Sequence, residues 1–240
     1  MRIIPRLVLF LSCLLALHVP TQADTLPLLP ESRSSTAWWQ EQFQRQTEQL
    51  KDGPCGVLFL GDSITDFWSK QGKNIWDTTF KPYHPCNFGI SGDQTSNLLY
   101  RIIESGLPAT EDPKLCVLMI GTNNTDLKKR AESPEQTAMG ILTIAEHLIV
   151  RFPKTHVLIL GIFPRGDSPE DALRQHNDKI NEVVSKCRLP RTSYLNINDQ
   201  FVDKKGVLLP GITRDKLHLT EKGYGLWAKA LLPYLKKYCK

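Results

Sequence analysis

Val57-Leu58-Phe59-Leu60-Gly61-Asp62-Ser63-Ile64 is the stretch that decides the fold. Four apolar residues with no polar alternation read as a strand buried on both faces, and the run stops abruptly at a glycine, a carboxylate and a hydroxyl. Similar short runs recur at Leu115–Ile120, Val157–Leu160 and Tyr194–Ile197, and a weaker one at Cys86–Phe88 makes five. Between and after them lie helical patterns at Thr95–Ser105, Pro134–Phe152, Pro169–Cys187 and Thr220–Tyr238. Strands alternating with helices predict an α/β fold, a five-stranded parallel sheet covered on both faces. Upstream, Trp38, Trp39, Phe43 and Leu50 fall roughly at helical spacing and predict an amphipathic helix over Ala37–Leu50. A Pro- and Ser-rich arm from Thr25 to Ser35 precedes it.

The chain has 240 residues, of which 41% are hydrophobic and 23% charged, enough apolar surface for one globular core and too much for a disordered chain. Residues 1–23 have the layout of a signal peptide. Arg2 and Arg6 precede an apolar stretch from Leu7 to Leu17, and Thr21-Gln22-Ala23 predicts cleavage before Asp24. That apolar stretch is shorter than the ~20 residues a spanning helix needs, and no later segment qualifies. An exported protein, secreted or periplasmic, is expected. The formal charge of +5 becomes +3 without the leader, since Arg2 and Arg6 leave with it. Lys128-Lys129-Arg130 is too short a basic run to suggest a nucleic-acid partner.

Five cysteines follow the leader, Cys55, Cys86, Cys116, Cys187 and Cys239, with no C-x-x-C among them, which excludes a zinc ribbon. Cys55 and Cys116 read as small core residues at strand starts, and export permits a disulfide, with Cys187–Cys239 as the candidate pair. Gly56 to Ser63 has phosphate-loop glycine spacing, but Asp62 stands where that loop needs lysine. Gly223-Tyr224-Gly225 lacks the third glycine of a dinucleotide fingerprint, and no histidine pattern suggests a metal.

Polar or Gly-rich peptides follow four of the strands: Gly61-Asp62-Ser63, Gly89-Ile90-Ser91-Gly92-Asp93, Gly121-Thr122-Asn123-Asn124, and Gly161 with Pro164-Arg165. Ligands of such sheets gather at the carboxyl ends of the strands, so these peptides point chemistry at one rim. Ser63 sits on the turn after the first strand, where a helix N-terminus favours developing negative charge. A serine nucleophile needs a base, and Asp215-Lys216-Leu217-His218 provides one, the spacing of three letting Asp215 orient the His218 ring. The Gly92 amide and the Asn123 side chain are candidate oxyanion donors. Each has a structural alternative, since serine and asparagine also cap helices, but together they compose one constellation. The absence of G-x-S-x-G argues against the nucleophile elbow of the α/β-hydrolases.

Gly61-Asp62-Ser63-Ile64, Gly92, Asn123 and Asp215-x-x-His218 resemble, in order and in spacing, the four blocks of the GDSL (SGNH) hydrolases, over about residues 55–235. Within that family, Asn87–Asp93, Gly121–Asn124, Pro164-Arg165-Gly166, Leu173-Arg174 and Leu217–Thr220 are similar to the catalytic subunits of platelet-activating-factor acetylhydrolase IB. Ser91 departs from a glycine common in that branch, and the leader departs from its cytosolic members. The resemblance implies a flavodoxin-like three-layer αβα sandwich (the SGNH hydrolase fold) over residues 55–240, after the leader at 1–23 and the arm and helix at 24–54. It also implies an esterase without cofactor that prefers short acyl groups, often acetyl, carried by a lipid or sugar. Ser63 becomes the nucleophile, Asp215 and His218 its partners, and Ser63, Gly92 and Asn123 the oxyanion hole.

The expected partner is a small-molecule ester or an O-acetylated glycan or lipid, with monomer and homodimer both open. A lipid-directed acetylhydrolase or lysophospholipase is the neighbouring alternative. A non-catalytic carbohydrate- or lipid-binding module on the same fold has no need of the full constellation. Trp68, Trp76 and Tyr83 could stack on a sugar or belong to the core. Arg165 could hold an anionic substrate group or pair with Asp167. Asn123-Asn124-Thr125 is an N-glycosylation acceptor, and a glycan on Asn123 would destroy the donor, so Asn123 is expected unmodified.

Overall fold

The computed structural model describes residues 29–105, 107, 112–125 and 132–240. The expected leader and the Lys128-Lys129-Arg130 run lie outside the described residues. Five strands form one sheet: β1 (Val57–Gly61), β2 (Pro85–Gly89), β3 (Leu115–Met119), β4 (His156–Leu160) and β5 (Thr192–Leu195). The helices are α1 (Ala37–Asp52), α2 (Ser63–Asp66), α3 (Lys73–Ile75), α4 (Thr95–Glu104), α5 (Pro134–Arg151), α6 (Ala172–Lys186) and α7 (Glu221–Tyr238).

All strand pairs are parallel, in the order β2-β1-β3-β4-β5, the flavodoxin-like arrangement. The β1–β2 connection runs one way along the sheet and the next three run the other. Right-handed crossovers therefore send them to opposite faces. Leu58, Leu60, Cys116, Leu118, Val157 and Ile159 face a core closed by α1, α4, α5 and α6. Val57, Phe59, Leu115, Val117, Leu158 and Leu160 face the other, closed by α7 and the segment between β1 and β2. Alternation is thus present, but both faces are apolar, which is why the strands read as unbroken runs. The strand order reverses between β1 and β3, and the crevice outside their carboxyl ends is where such sheets bind ligands.

Local chemistry sets the helix starts. Ser133 and Gln136 form a capping box with Pro134 in the first turn of α5. Asp171 accepts from the amides of Leu173 and Arg174, so α6 starts at Ala172 rather than at Pro169. β5 lies at Thr192–Leu195, two residues before the Tyr194–Ile197 run. It is a half-exposed edge strand, and Ile197 enters the core after the strand has ended. Cys55 is joined to Cys86 by a disulfide, with Cα atoms 5.7 Å apart, and so is not the lone core thiol expected from sequence. Cys187 ends α6 on one face of the sheet and Cys239 ends α7 on the other, which excludes the Cys187–Cys239 pair. No helix of the described residues is long and apolar enough to cross a membrane.

Candidate active site

Gly61 ends β1 where a Cβ would overlap the Met119 carbonyl and the Thr65 hydroxyl, so glycine lets the strand turn tightly into α2. Asp62 caps that turn by accepting from the Ile64 amide at 2.9 Å. Burial pushes the Asp62 carboxyl up to about 7, the Ile64 amide opposing and Asp93 reinforcing the shift. Ser63 follows as the first residue of α2, and Tyr224 of α7 anchors the helix by donating to the Ile64 carbonyl at 2.7 Å.

The other half comes from the chain's far end. Thr213 and Leu219 form an antiparallel bridge, and Lys216 takes a positive φ of 65° at the tip of the loop between them. The reversal points Asp215 and His218 the same way. Ser63 Oγ lies 3.0 Å from His218 Nε2, and His218 Nδ1 lies 2.7 Å from Asp215 Oδ2. With Nδ1–H donating to the carboxylate, Nε2 is left to accept the Ser63 hydroxyl. Asp215 Oδ1 accepts from the amides of His218, at 2.7 Å, and Leu217, at 3.2 Å. Burial alone would raise the Asp215 carboxyl, but these hydrogen bonds and the His218 ring hold it below its ordinary value. The Phe67 ring packs on His218 at 5.0 Å, and Arg214 and Lys70 lie over Phe67.

Gly92 follows β2 with φ +79° and is exposed at the rim. Asn123 sits on the turn Thr122–Thr125 after β3. One of its amide hydrogens goes to the Asp93 carbonyl at 2.9 Å, leaving the second for an oxyanion, while Gln94 donates to the Asn123 carbonyl at 3.0 Å. Asn124 points inward instead, bonded to Thr95 and Glu132. The structure therefore brings Ser63, Asp215 and His218 into one relay and sets Gly92 and Asn123 on the same rim.

Arg165 is half-buried and donates through Nη1 to the Thr122 carbonyl and hydroxyl, at 3.2 and 3.3 Å, bracing the turn that carries Asn123. Asp167 pairs with Lys216. Arg174 holds the Arg165 loop by donating to the carbonyls of Arg165, at 2.6 Å, and Gly166, at 2.8 Å. Trp68 is a correction. Its exposure is 0%, enclosed by Phe59, Phe80, Tyr224 and Trp227, so it has no face to offer a substrate. Trp76 and Tyr83 are half-buried against the same cluster.

A network unread in the sequence supports the Gly92 loop. Asp93, fully buried, pairs through Oδ2 with Arg101 Nε at 2.8 Å. Its Oδ1 accepts from Arg33 Nη1 at 3.0 Å and Trp39 Nε1 at 2.7 Å. Arg101 also donates to the carbonyls of Phe88, at 2.9 Å, and Gly61, at 3.3 Å, binding the ends of β2 and β1 together. These partners are up to 60 residues apart, and no local pattern marks them.

Residues 59–226 match the model of the GDSL-like Lipase/Acylhydrolase family. The chain is 36% identical over 195 residues to the platelet-activating factor acetylhydrolase IB subunit alpha2 of Rattus norvegicus, covering 80% of this chain and 81% of that one. Among solved structures, a GDSL-like lipase from Bacteroides thetaiotaomicron superposes with a TM-score of 0.69 at 21% identity, covering 82% of this chain and 97% of that one. An acetylxylan esterase from Geobacillus stearothermophilus superposes with a TM-score of 0.56 at 19% identity, covering 76% and 93%.

Proposed function

The chain belongs to the GDSL-like lipase/acylhydrolase family and is a carboxylic ester hydrolase, and from that premise we propose that it is an exported enzyme removing short acyl groups, acetyl foremost, from an O-acylated carbohydrate or lipid. The observation that carries the chemistry is the continuous relay, 3.0 Å from Ser63 to His218 and 2.7 Å from His218 to Asp215. Ser63 Oγ attacks the ester carbonyl as His218 Nε2 takes its proton. Asp215 holds the ring and stabilises the imidazolium. The carbonyl oxygen, now negative, receives the Ser63 and Gly92 amides and the free Asn123 N–H. His218 returns its proton to the leaving alcohol, and water, activated by the same ring, releases the acid from the acyl-serine.

The acetyl preference is supported by the acetylhydrolase named among relatives at 36% identity. Export is supported by the leader pattern at residues 1–23. The lipid-directed alternative, an acetylhydrolase or lysophospholipase, draws on the same relative. Two series on the purified mature chain test these readings. Acetate, butyrate and octanoate p-nitrophenyl esters should show a falling kcat/KM with length; a preference for octanoate would contradict the short-acyl reading. An acetylated oligosaccharide against an acetylated glycerophospholipid identifies the alcohol. Cell fractionation with N-terminal sequencing should find the mature chain outside the cytoplasm beginning at Asp24; an intact Met1 in the cytoplasm would refute export.

A further inference from the structure

Residues 31–46, ahead of the segment matched to the family, close over the loop that carries Gly92. The Glu31 amide donates to the Ser96 carbonyl at 3.1 Å, Trp39 to Asp93 at 2.7 Å, and Gln46 to the Gly89 carbonyl at 2.8 Å. Arg33 reaches further. Its Nη1 donates to the Ser91 carbonyl at 2.9 Å and to Asp93 Oδ1 at 3.0 Å, bracketing Gly92 on both sides. A Cβ placed on Gly92 would stand 3.3 Å from Nη1 and 3.4 Å from Nη2, so the guanidinium lies directly against this residue.

We propose that Arg33 is a positioning residue for the oxyanion pocket, holding the Gly92 amide in its receiving orientation. The proposal rests on the reading of Ser63 as nucleophile and Gly92 as donor. A glycine at φ +79° has many other conformations open to it, yet an oxyanion donor helps catalysis only when it is aimed before charge develops. Arg33 ties the acceptors before and after Gly92 to one planar group. Ser91 adds a second tie by donating to Asp66 at 2.7 Å. The charge of Arg33 matters as well. It offsets Asp93 on a loop that must accept negative charge, while Arg101 offsets the other carboxylate oxygen.

The test compares kcat and KM for p-nitrophenyl acetate, with thermal midpoints, across wild type, Arg33→Met, Arg33→Lys, Gln40→Ala and Ser63→Ala. Gln40 donates to the Ser34 carbonyl at 2.6 Å, so its removal loosens the arm without touching residues 91–93. Arg33→Met should lower kcat by about tenfold to a hundredfold, part of the ~10²–10³ that losing an entire donor costs, with KM held within ~threefold. Arg33→Lys, which keeps the charge, should fall between, and Gln40→Ala should match wild type. All midpoints should stay within a few degrees. A wild-type kcat in Arg33→Met beside an inactive Ser63→Ala would overturn the positioning role and leave the esterase reading intact. So would an equal loss in Gln40→Ala, or a raised KM at unchanged kcat. Should Arg33→Met fail to fold, Arg33→Lys decides: a reduced kcat at unchanged KM supports the role and a wild-type kcat overturns it. Full activity in Ser63→Ala would remove the reading on which the role depends, and the role with it.

Discussion

Replacing Asn123 with alanine separates a catalytic amide from a structural one. In the folded chain its Nδ2 spends one hydrogen on the Asp93 carbonyl at 2.9 Å, and the truncation forfeits that bond. Such a bond is worth about 1 kcal/mol net. The turn itself survives, because Gln94 still holds the Asn123 backbone carbonyl and Asn124 is bonded to Thr95 and Glu132. If Asn123 served structure alone, an effect of about 1 kcal/mol on the barrier would be roughly fivefold in rate. Loss of an oxyanion donor predicts ~10²–10³ in kcat, about 2.7–4 kcal/mol, with KM little changed. Steady-state kinetics on p-nitrophenyl acetate, with urea unfolding of the same preparations, reads both quantities. Asn123→Asp should fall below Asn123→Ala at neutral pH, because it sets a carboxylate against the developing charge. A kcat within fivefold of wild type in Asn123→Ala, or an Asp variant as active as wild type, would refute the donor assignment.

Two further outcomes follow from burial. Trp68→Ala should cost about 3–5 kcal/mol of stability in urea unfolding, as a large aromatic is deleted from a closed cluster. A rise in KM for sugar esters at unchanged stability would instead restore the stacking role. Asp62 governs a pH effect. Its carboxyl rises from 3.8 to about 7 on folding, so between those values the folded chain holds a proton that the unfolded chain has lost. Stability from this group is therefore full below pH 3.8, declines as pH rises through the window, and is gone above about 7. Asp62→Asn, which keeps the cap acceptor, should flatten the fall in thermal midpoint between pH 5 and 7; an unchanged slope would contradict the assignment.

Much of this architecture is legible in residue order because buried parallel strands are short, apolar and bounded by glycine. Val57–Leu60 and Leu115–Ile120 each differ from the observed strand by a single residue. β5 is displaced by two residues because an edge strand is half-exposed, so its pattern does not resemble that of its neighbours. Asp215 and His218 are readable as a pair because three residues can turn within one loop, and Ser63 because it sits on the turn that follows a buried strand. What is not legible depends on distance in sequence. The Cys55–Cys86 bridge arises when β1 and β2 are brought side by side, and the grip of Arg33 on Asp93 spans 60 residues. Trp68 shows the opposite limit. A tryptophan five residues after the nucleophile looks available to substrate, yet the helical turns after Ser63 point it into the α7 face, where hydrophobic burial outweighs any use at the rim.

The central claim is that Ser63 carries the acyl group. Rapid quench of the mature chain with p-nitrophenyl acetate, followed by peptide mass spectrometry, tests it directly. The account predicts an added acetyl on the peptide containing Ser63, in a burst matched to p-nitrophenol release, and neither acetyl nor burst in Ser63→Ala. Turnover in Ser63→Ala at the wild-type rate, or acetyl carried on another residue in active protein, would contradict it.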